Sequence, residues 1–340
     1  MKTNFAASTQ KPSTLASLTA AAGIFISGLS LNSCTLDDVM LDPSNGDLGL
    51  DEKVVLGLKT ALKVGIDSSS TVASQLNGYF AHRVIKILLP EDAKQALATA
   101  ETVGAYVKPF KSELEAMQTA VNFTMGSSDK NTFSNNLTAS STLLTQVTQL
   151  EGLSDSLIKY MNRAAEMAAP RSVPIFKSAI TDMTIRDGLS LLNSSDSTAA
   201  TGYLNGKTFS PLSSAYSPIV DSTLTKVPLT EYWTDFRDSY NSVLANYQKL
   251  LAFQTSWNNN AVVKTLPSLQ VDKLKAVDNQ PIATESLGKW TTDKALYGLF
   301  YLVGEEEKDI RRDPFGYVQG LAANVSDILK EVFGEIMKME

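Results

Sequence analysis

Three residues in the middle of the sequence carry the side chains best suited to chemistry. Asn162, Arg163 and Glu166 lie close together, and Arg163 and Glu166 are three positions apart, so they can pair on one face of a helix. Such a pair suits a polar ligand, or lets Glu166 act as an acid or base if its pKa is shifted. The alternative is a partly buried ion pair that fixes helix packing, and the apolar neighbours of the pair favour it.

The densest run of charge lies near the C-terminal end, at 305–313. Glu307 and Arg311 are four positions apart in the order that favours a helical ion pair. A solvated helix end explains this run without any function. The functional alternative turns one Glu and one Arg inward, because a buried charge needs a partner. We therefore predict one buried polar cluster, drawn from Asn162, Arg163, Glu166, Asp187, Glu306, Glu307 and Arg311.

Other catalytic and metal-binding patterns are missing from the sequence. His82 is the only histidine, which excludes zinc sites with two histidines, and no glycine pattern marks a serine nucleophile. The sequence has no phosphate-binding loop, no dinucleotide fingerprint and no patterned calcium loop. Aromatic residues at helical spacing between 232 and 247 are typical of a core. We expect no metal, no cofactor and no assignable catalytic residue.

Cys34 is the only cysteine, and it follows a weakly apolar stretch at 15–31. Lys2 and Lys11 precede that stretch, and Ser33 is small enough for a peptidase site. The stretch is too polar and short for a comfortable transmembrane helix. This pattern predicts a lipoprotein signal peptide at 1–33, fatty acids such as palmitate on Cys34, and a flexible tether at 34–49. An ordinary signal peptide with an unrelated cysteine is the alternative.

The overall charge limits the classes of partner. The formal net charge is −6, and the cations are scattered rather than clustered. This argues against nucleic acid and against electrostatic docking on anionic lipid. We expect the lipid on Cys34 to attach the protein to a membrane of the bacterial cell envelope, at the periplasmic or surface face of the outer membrane. The remaining partner is then an unknown envelope protein or a small ligand.

The hydrophobic pattern predicts an all-α fold, with one multi-helix domain at 50–340. Apolar residues recur every four positions from Leu50 to Ile66, and strand alternation is almost absent. Residues 84–89 read as an extended segment or a turn, and Pro109 is expected to break the helix that Pro90 opens. We expect loops at 126–142 and 255–281. Further helices are predicted at 143–169, 174–182, 184–193, 197–206, 209–226, 229–254, 283–312 and 317–338.

Short motifs in a fixed order complete the pattern. The helix with Asn162 and Glu166 is followed by Pro170 and by 174–176, then by 179–187, 199–203, 218–220, 298–300, 306–314 and 329–334. In order and spacing the chain resembles the bacterial "domain of unknown function 4197" family from about residue 50 to 334. The resemblance implies a helical, exported, often lipid-anchored domain without an established activity. The chain departs from the family at 111–150 and 255–281, and in having Gly188 where the family tends to have Ala.

These observations favour a lipid-anchored envelope protein that binds a partner or a small ligand without catalysis. One alternative is a carboxylate-dependent hydrolase or lyase, which requires two carboxylates converging on a solvent-filled cleft. Another is an apolar-ligand carrier, which requires a dry cavity of roughly 300 Å³ or more. An exposed apolar patch without either feature indicates an interaction module.

Overall fold

The computed structural model describes residues 49–226, 229–284 and 286–313. These residues form an all-α domain, as the sequence predicts, and no strand occurs among them. The predicted signal peptide, Cys34, the predicted tether up to 48 and the helix predicted at 317–338 lie outside the described residues. The helices are α1 (Leu50–Ser74), α2 (Glu91–Thr124), α3 (Ser127–Ala168), α4 (Ser172–Thr181), α5 (Ile185–Leu192), α6 (Ala199–Lys226), α7 (Leu229–Asn258), α8 (Ala261–Thr265) and α9 (Leu287–Arg312).

α2 and α3 form a long antiparallel pair, and here two predictions were wrong. Pro109 does not break α2, which runs through it to Thr124. The proline lies on the exposed side, while Val107 and Phe110 on the other side are buried. The predicted loop at 126–142 is the first part of α3. Its Ser- and Thr-rich composition disfavours helix, but burial of Phe133 and Leu143 on one face outweighs that preference.

α6 is one helix where the sequence predicts two. Pro211 and Pro218 both lie inside it. Its buried stripe of Leu204, Leu212 and Tyr216 continues past Pro211, so packing compensates for the missing backbone hydrogen bond. α7 follows with its aromatic stripe buried, which confirms the stripe as core; its buried members are Trp233, Phe236, Tyr240 and Tyr247.

The predicted loop at 255–281 is partly helical, and side chains of α7 hold it by hydrogen bonds. It contains the end of α7, α8 and a short 3₁₀ turn at Pro267–Leu269. The Trp257 indole N–H donates to the Leu269 carbonyl at 2.7 Å, and the Asn258 amide pairs with the backbone of Val271. Side chains of α7 thus supply the hydrogen bonds that regular structure would otherwise provide.

α3 is the central helix of the domain. It packs against α2 and α7 and also against α6, α9 and α1. α1 packs on α4 and α9, α6 also packs on α4 and α9, and α5 lies on α1. Among the described residues, no helix is long and apolar enough to cross a membrane. The residues between α1 and α2, here called the connecting segment (residues 75–90), have no regular structure. Residues 76–81 and 83–85 of this segment form turns, in line with the extended segment or turn predicted at 84–89.

Candidate functional site

Asn162 of α3 holds the connecting segment by its backbone. Its side-chain oxygen accepts a hydrogen bond from the Ile87 N–H at 2.8 Å, and its amide donates to the Ile87 carbonyl at 2.8 Å. The same amide donates to the Ile158 carbonyl one turn earlier. Asn162 is fully buried, so this two-point contact satisfies a backbone unit that has no strand neighbour. The role of Asn162 here is structural.

Glu166 holds the same segment one turn further along α3. Its carboxylate accepts hydrogen bonds from the backbone N–H groups of Tyr79 and Phe80, each at 3.2 Å, and pairs with Arg163. Arg163 also donates to the Asn77 side chain at 2.8 Å. Asn77 has a φ of 71°, in the left-handed region that asparagine tolerates better than most residues. The predicted pair of Arg163 and Glu166 therefore anchors a turn.

Glu307 of α9 lies at the N-terminus of α6. It accepts hydrogen bonds from the N–H groups of Ala200 and Thr201, at 2.9 and 2.7 Å, and from the Thr201 hydroxyl at 2.8 Å. Arg311 pairs with the same carboxylate and donates to the Leu191 carbonyl. A carboxylate in this position satisfies unpaired helix donors and faces the positive end of the helix dipole. This pair joins α9 to the start of α6 and the end of α5.

The structure does not bring the seven predicted residues into one cluster. In the described part of the chain, Glu166 and Glu307 have no hydrogen-bonding partner in common. Glu306 accepts from the Ser68 hydroxyl at 2.6 Å, and Asp187 lies at the start of α5. Sequence spacing predicts pairs within one helix, and both of those pairs form. It carries no signal for the backbone N–H groups of other segments, which are what the buried carboxylates bind.

An open cavity of about 710 Å³ lies between α4, α5 and α6. Asp187 is the one predicted residue that lines it. Asp182, Tyr203 and Lys207 add charge and a phenol, and the apolar part of the lining comes from Pro174, Ile175, Ala179 and Pro211. Sequence reasoning missed these residues. The four-residue spacing of Tyr203 and Lys207 on α6 places them on one face and is the signal that indicates them.

Hydrogen bonds and nearby charges in this cavity shift the pKa values of Asp187 and Tyr203. Asp187 accepts hydrogen bonds from the Thr184 hydroxyl and N–H, as a helix cap, and these bonds lower the pKa of Asp187. The Tyr203 hydroxyl lies 3.5 Å from the Asp187 carboxylate, and desolvation together with the nearby negative charge raises the pKa of Tyr203. The Lys207 ammonium lies 5.7 Å from the centre of the Tyr203 ring. At neutral pH Asp187 is therefore ionised and the Tyr203 phenol keeps its proton.

Comparison with protein families identifies the chain. The family model described as "Protein of unknown function (DUF4197)" matches residues 50–131 and 122–334. The chain belongs to the DUF4197 family. The resemblance read from the sequence motifs is thus confirmed. No curated protein and no solved structure matches the chain.

The cavity and the two anchored carboxylates all fall within the part matched to DUF4197. A second, polar groove of about 530 Å³ lies between α3 and α7 and includes Gln146, Gln149, Asp235 and Asp238. Within the described residues, no group of three or more histidine, cysteine, aspartate and glutamate side chains is placed to hold a metal ion. His82 accepts hydrogen bonds from the Val84 and Ile85 N–H groups in a turn of the connecting segment.

Proposed function

We propose that this DUF4197 protein is a non-catalytic binding module, anchored at the bacterial envelope by lipid on Cys34, and that its ligand enters the cavity between α4, α5 and α6. One observation carries the proposal. Glu166 and Glu307 are engaged by backbone N–H groups and by an arginine each, whereas the charged groups of the cavity keep hydrogen-bonding capacity that faces solvent. The sequence pattern around Cys34 supports the anchor.

The lining favours a small ligand that carries an ammonium group on a short apolar body. In the described part of the chain, the Asp182 carboxylate makes no hydrogen bond or ion pair, and Asp187 uses one of its two oxygens for Thr184 and Tyr203. The two carboxylates outnumber the single lysine, so the lining has a net negative charge. The apolar side chains of Pro174, Ile175 and Pro211 then contact the uncharged part of the ligand.

The two alternative functions fit the cavity less well. Hydrolysis by paired carboxylates needs one acid whose pKa is raised so that it keeps its proton. The hydrogen bonds from Thr184 do the opposite at Asp187, because they hold it ionised. A carrier for apolar ligands needs a dry cavity, whereas this one carries Asp182, Asp187 and Lys207 and opens to solvent.

A pair of probe molecules tests the ligand class. Hexylamine and 1-hexanol share an alkyl chain and differ in charge, so calorimetric titration of both separates the ammonium from the apolar contribution. We expect hexylamine to bind more tightly and Asp182→Asn to remove the difference. Asp235→Asn, an exposed carboxylate of the other groove, is the matched control and leaves binding unchanged. Equal binding of the two probes by the wild type contradicts the proposal.

The anchor has its own test. Expression of the full chain in bacteria with labelled palmitate is expected to label the wild type and not Cys34→Ala. Equal label on both proteins contradicts the proposed lipidation, whatever the cavity binds.

A further inference from the structure

The connecting segment lies between α3 and α9, and its residues 84–89 alternate between exposed and buried side chains. Ile85, Ile87 and Leu89 point inward and are buried. Val84, Lys86 and Leu88 alternate with them and are exposed. Residues 83–85 form a turn, in which the Lys86 N–H donates to the His82 carbonyl, and the exposed residues Val84, Lys86 and Leu88 are here called the outward row. Asn162 fixes this register by binding both backbone groups of Ile87.

This row runs antiparallel to α9. The His82 ring lies 6.1 Å from the Tyr301 ring, and the Leu88 carbonyl accepts from the Trp290 indole at 3.0 Å. Between them, Gly298 admits Ile85, because a Cβ at Gly298 would lie 3.0 Å from the Cβ of Ile85. Residues 82–88 thus follow α9 from its second half back to its first turn. Their outward side chains and the exposed side of α9 form one continuous surface.

Apolar side chains are concentrated on this surface. Ten large apolar side chains of the described residues are exposed, and three of them, Val84, Leu88 and Tyr297, lie on this surface. Tyr297 is 67% exposed and Val84 is 51% exposed. An unusual share of exposed apolar area marks an interaction surface. We call it the α9 face and define it by Arg83, Val84, Lys86, Leu88, Trp290, Lys294 and Tyr297.

The α9 face is cationic although the protein as a whole is acidic. Arg83, Lys86 and Lys294 are exposed, and none of them forms an ion pair in the described part of the chain. Lys86 lies 4.3 Å from the Phe80 ring centre and Lys294 lies 4.6 Å from that of Trp290. The acids at the edge of the face are already neutralised, Asp293 by Lys289 and Glu91 by Lys94.

We propose that the α9 face docks on an anionic phospholipid bilayer. Its lysines lie among apolar side chains, so their ammonium groups can reach phosphates while Val84 and Leu88 enter the interface. Trp290 and Tyr297 combine an apolar ring with a polar tip, as residues at membrane interfaces do. A second copy of the chain is a poor occupant, because it would bring the same cations to a symmetric contact. The net charge of −6 hides this local concentration of positive charge.

The predicted tether at 34–49 is long enough for the α9 face to reach the bilayer. The α9 face adjoins the C-terminal end of α1, whose 25 residues span about 37 Å at 1.5 Å per residue. The 15 residues from 35 to 49 reach at most about 50 Å when extended. A lipid on Cys34 therefore lets the domain turn its α9 face to the bilayer. The docking itself requires neither that lipid nor a ligand in the cavity.

Vesicle cosedimentation tests the proposal on the full chain with Cys34→Ser, which removes the lipid. The vesicles are equal parts phosphatidylglycerol and phosphatidylcholine, or phosphatidylcholine alone. We expect tighter binding to the anionic vesicles. Because each cation near an anionic surface contributes roughly fivefold to binding, the double variant Lys86→Gln, Lys294→Gln should weaken it about 30-fold.

The matched control is Lys108→Gln with Lys249→Gln, which changes the net charge equally on exposed sides of α2 and α7. It should weaken binding less than twofold. Residues 1–33 are present in every variant and add the same contribution to each. The proposal is overturned by an equal loss in both double variants, by no loss in the first, or by a wild type that does not prefer anionic vesicles. A wild type that ignores vesicles and binds poly-L-glutamate would assign the face to an acidic polypeptide instead.

Discussion

Removing the Glu166 carboxylate should destabilise the protein without affecting ligand binding. Glu166 is 4% exposed and receives two backbone N–H groups, of which that of the buried Tyr79 cannot reach water without local opening. Arg163 is about a quarter exposed and keeps its hydrogen bond to Asn77, so leaving its charge without a carboxylate costs less free energy than it would for a fully buried arginine. Two unsatisfied N–H donors and the loss of the ion pair with Arg163 should together lower the free energy of unfolding of Glu166→Ala by about 2–4 kcal/mol.

Urea denaturation measures this loss, and two variants separate its sources. Glu166→Gln keeps an oxygen for the two N–H groups and loses the charge opposite Arg163, so we expect about 1–2 kcal/mol. Glu151→Ala removes an exposed carboxylate from the same helix and should change stability by less than about 0.5 kcal/mol. The reasoning is refuted if Glu166→Ala costs no more than Glu151→Ala.

Four other changes test the same physical reasoning. Glu307→Ala should lower the free energy of unfolding by about 2–4 kcal/mol in urea, because it leaves the N-terminus of α6 unsatisfied; an unchanged midpoint contradicts this. Gly188→Ala places a Cβ 2.6 Å from a Val55 methyl and should lower the free energy of unfolding by about 1–2 kcal/mol. Adding Val55→Ala should recover part of this loss, as measured by thermal denaturation of the single and double variants. Asn77→Val should cost about 1–2 kcal/mol more than Asn77→Gly, because a β-branched residue is strained at positive φ; equal melts contradict this. The lowered pKa of Asp187 means that its contribution is complete at neutral pH and is lost as the pH falls through its folded value, so the stability gap between wild type and Asp187→Asn should shrink below about pH 4 and stay constant above about pH 5.

The sequence predicted the fold class because hydrophobic spacing reports burial directly. α1 and α7 follow from it, and so do the i,i+3 pair of Arg163 with Glu166 and the i,i+4 pair of Glu307 with Arg311. The errors come from local composition. Pro109 and the Ser- and Thr-rich start of α3 indicate a break, but long apolar stripes on α2 and α3 outweigh those preferences once the helices pack.

The contacts between distant segments could not be predicted. Both buried carboxylates bind backbone N–H groups, and every residue type except proline supplies such a group, so the sequence has no mark for it. The α9 face also combines residues more than 200 positions apart, such as Leu88 and Trp290. Its charge is local and disappears in the total composition, which explains why net charge alone argued against anionic lipid.

The central claim is that the Asn162–Glu166 region is structural and that binding resides in the cavity between α4, α5 and α6. The most direct measurement combines urea denaturation and hexylamine titration for Glu166→Gln and Asp182→Asn. The account predicts that Glu166→Gln loses stability and keeps hexylamine binding, while Asp182→Asn keeps stability and loses binding. Loss of binding in Glu166→Gln at unchanged stability, with normal binding in Asp182→Asn, would contradict it.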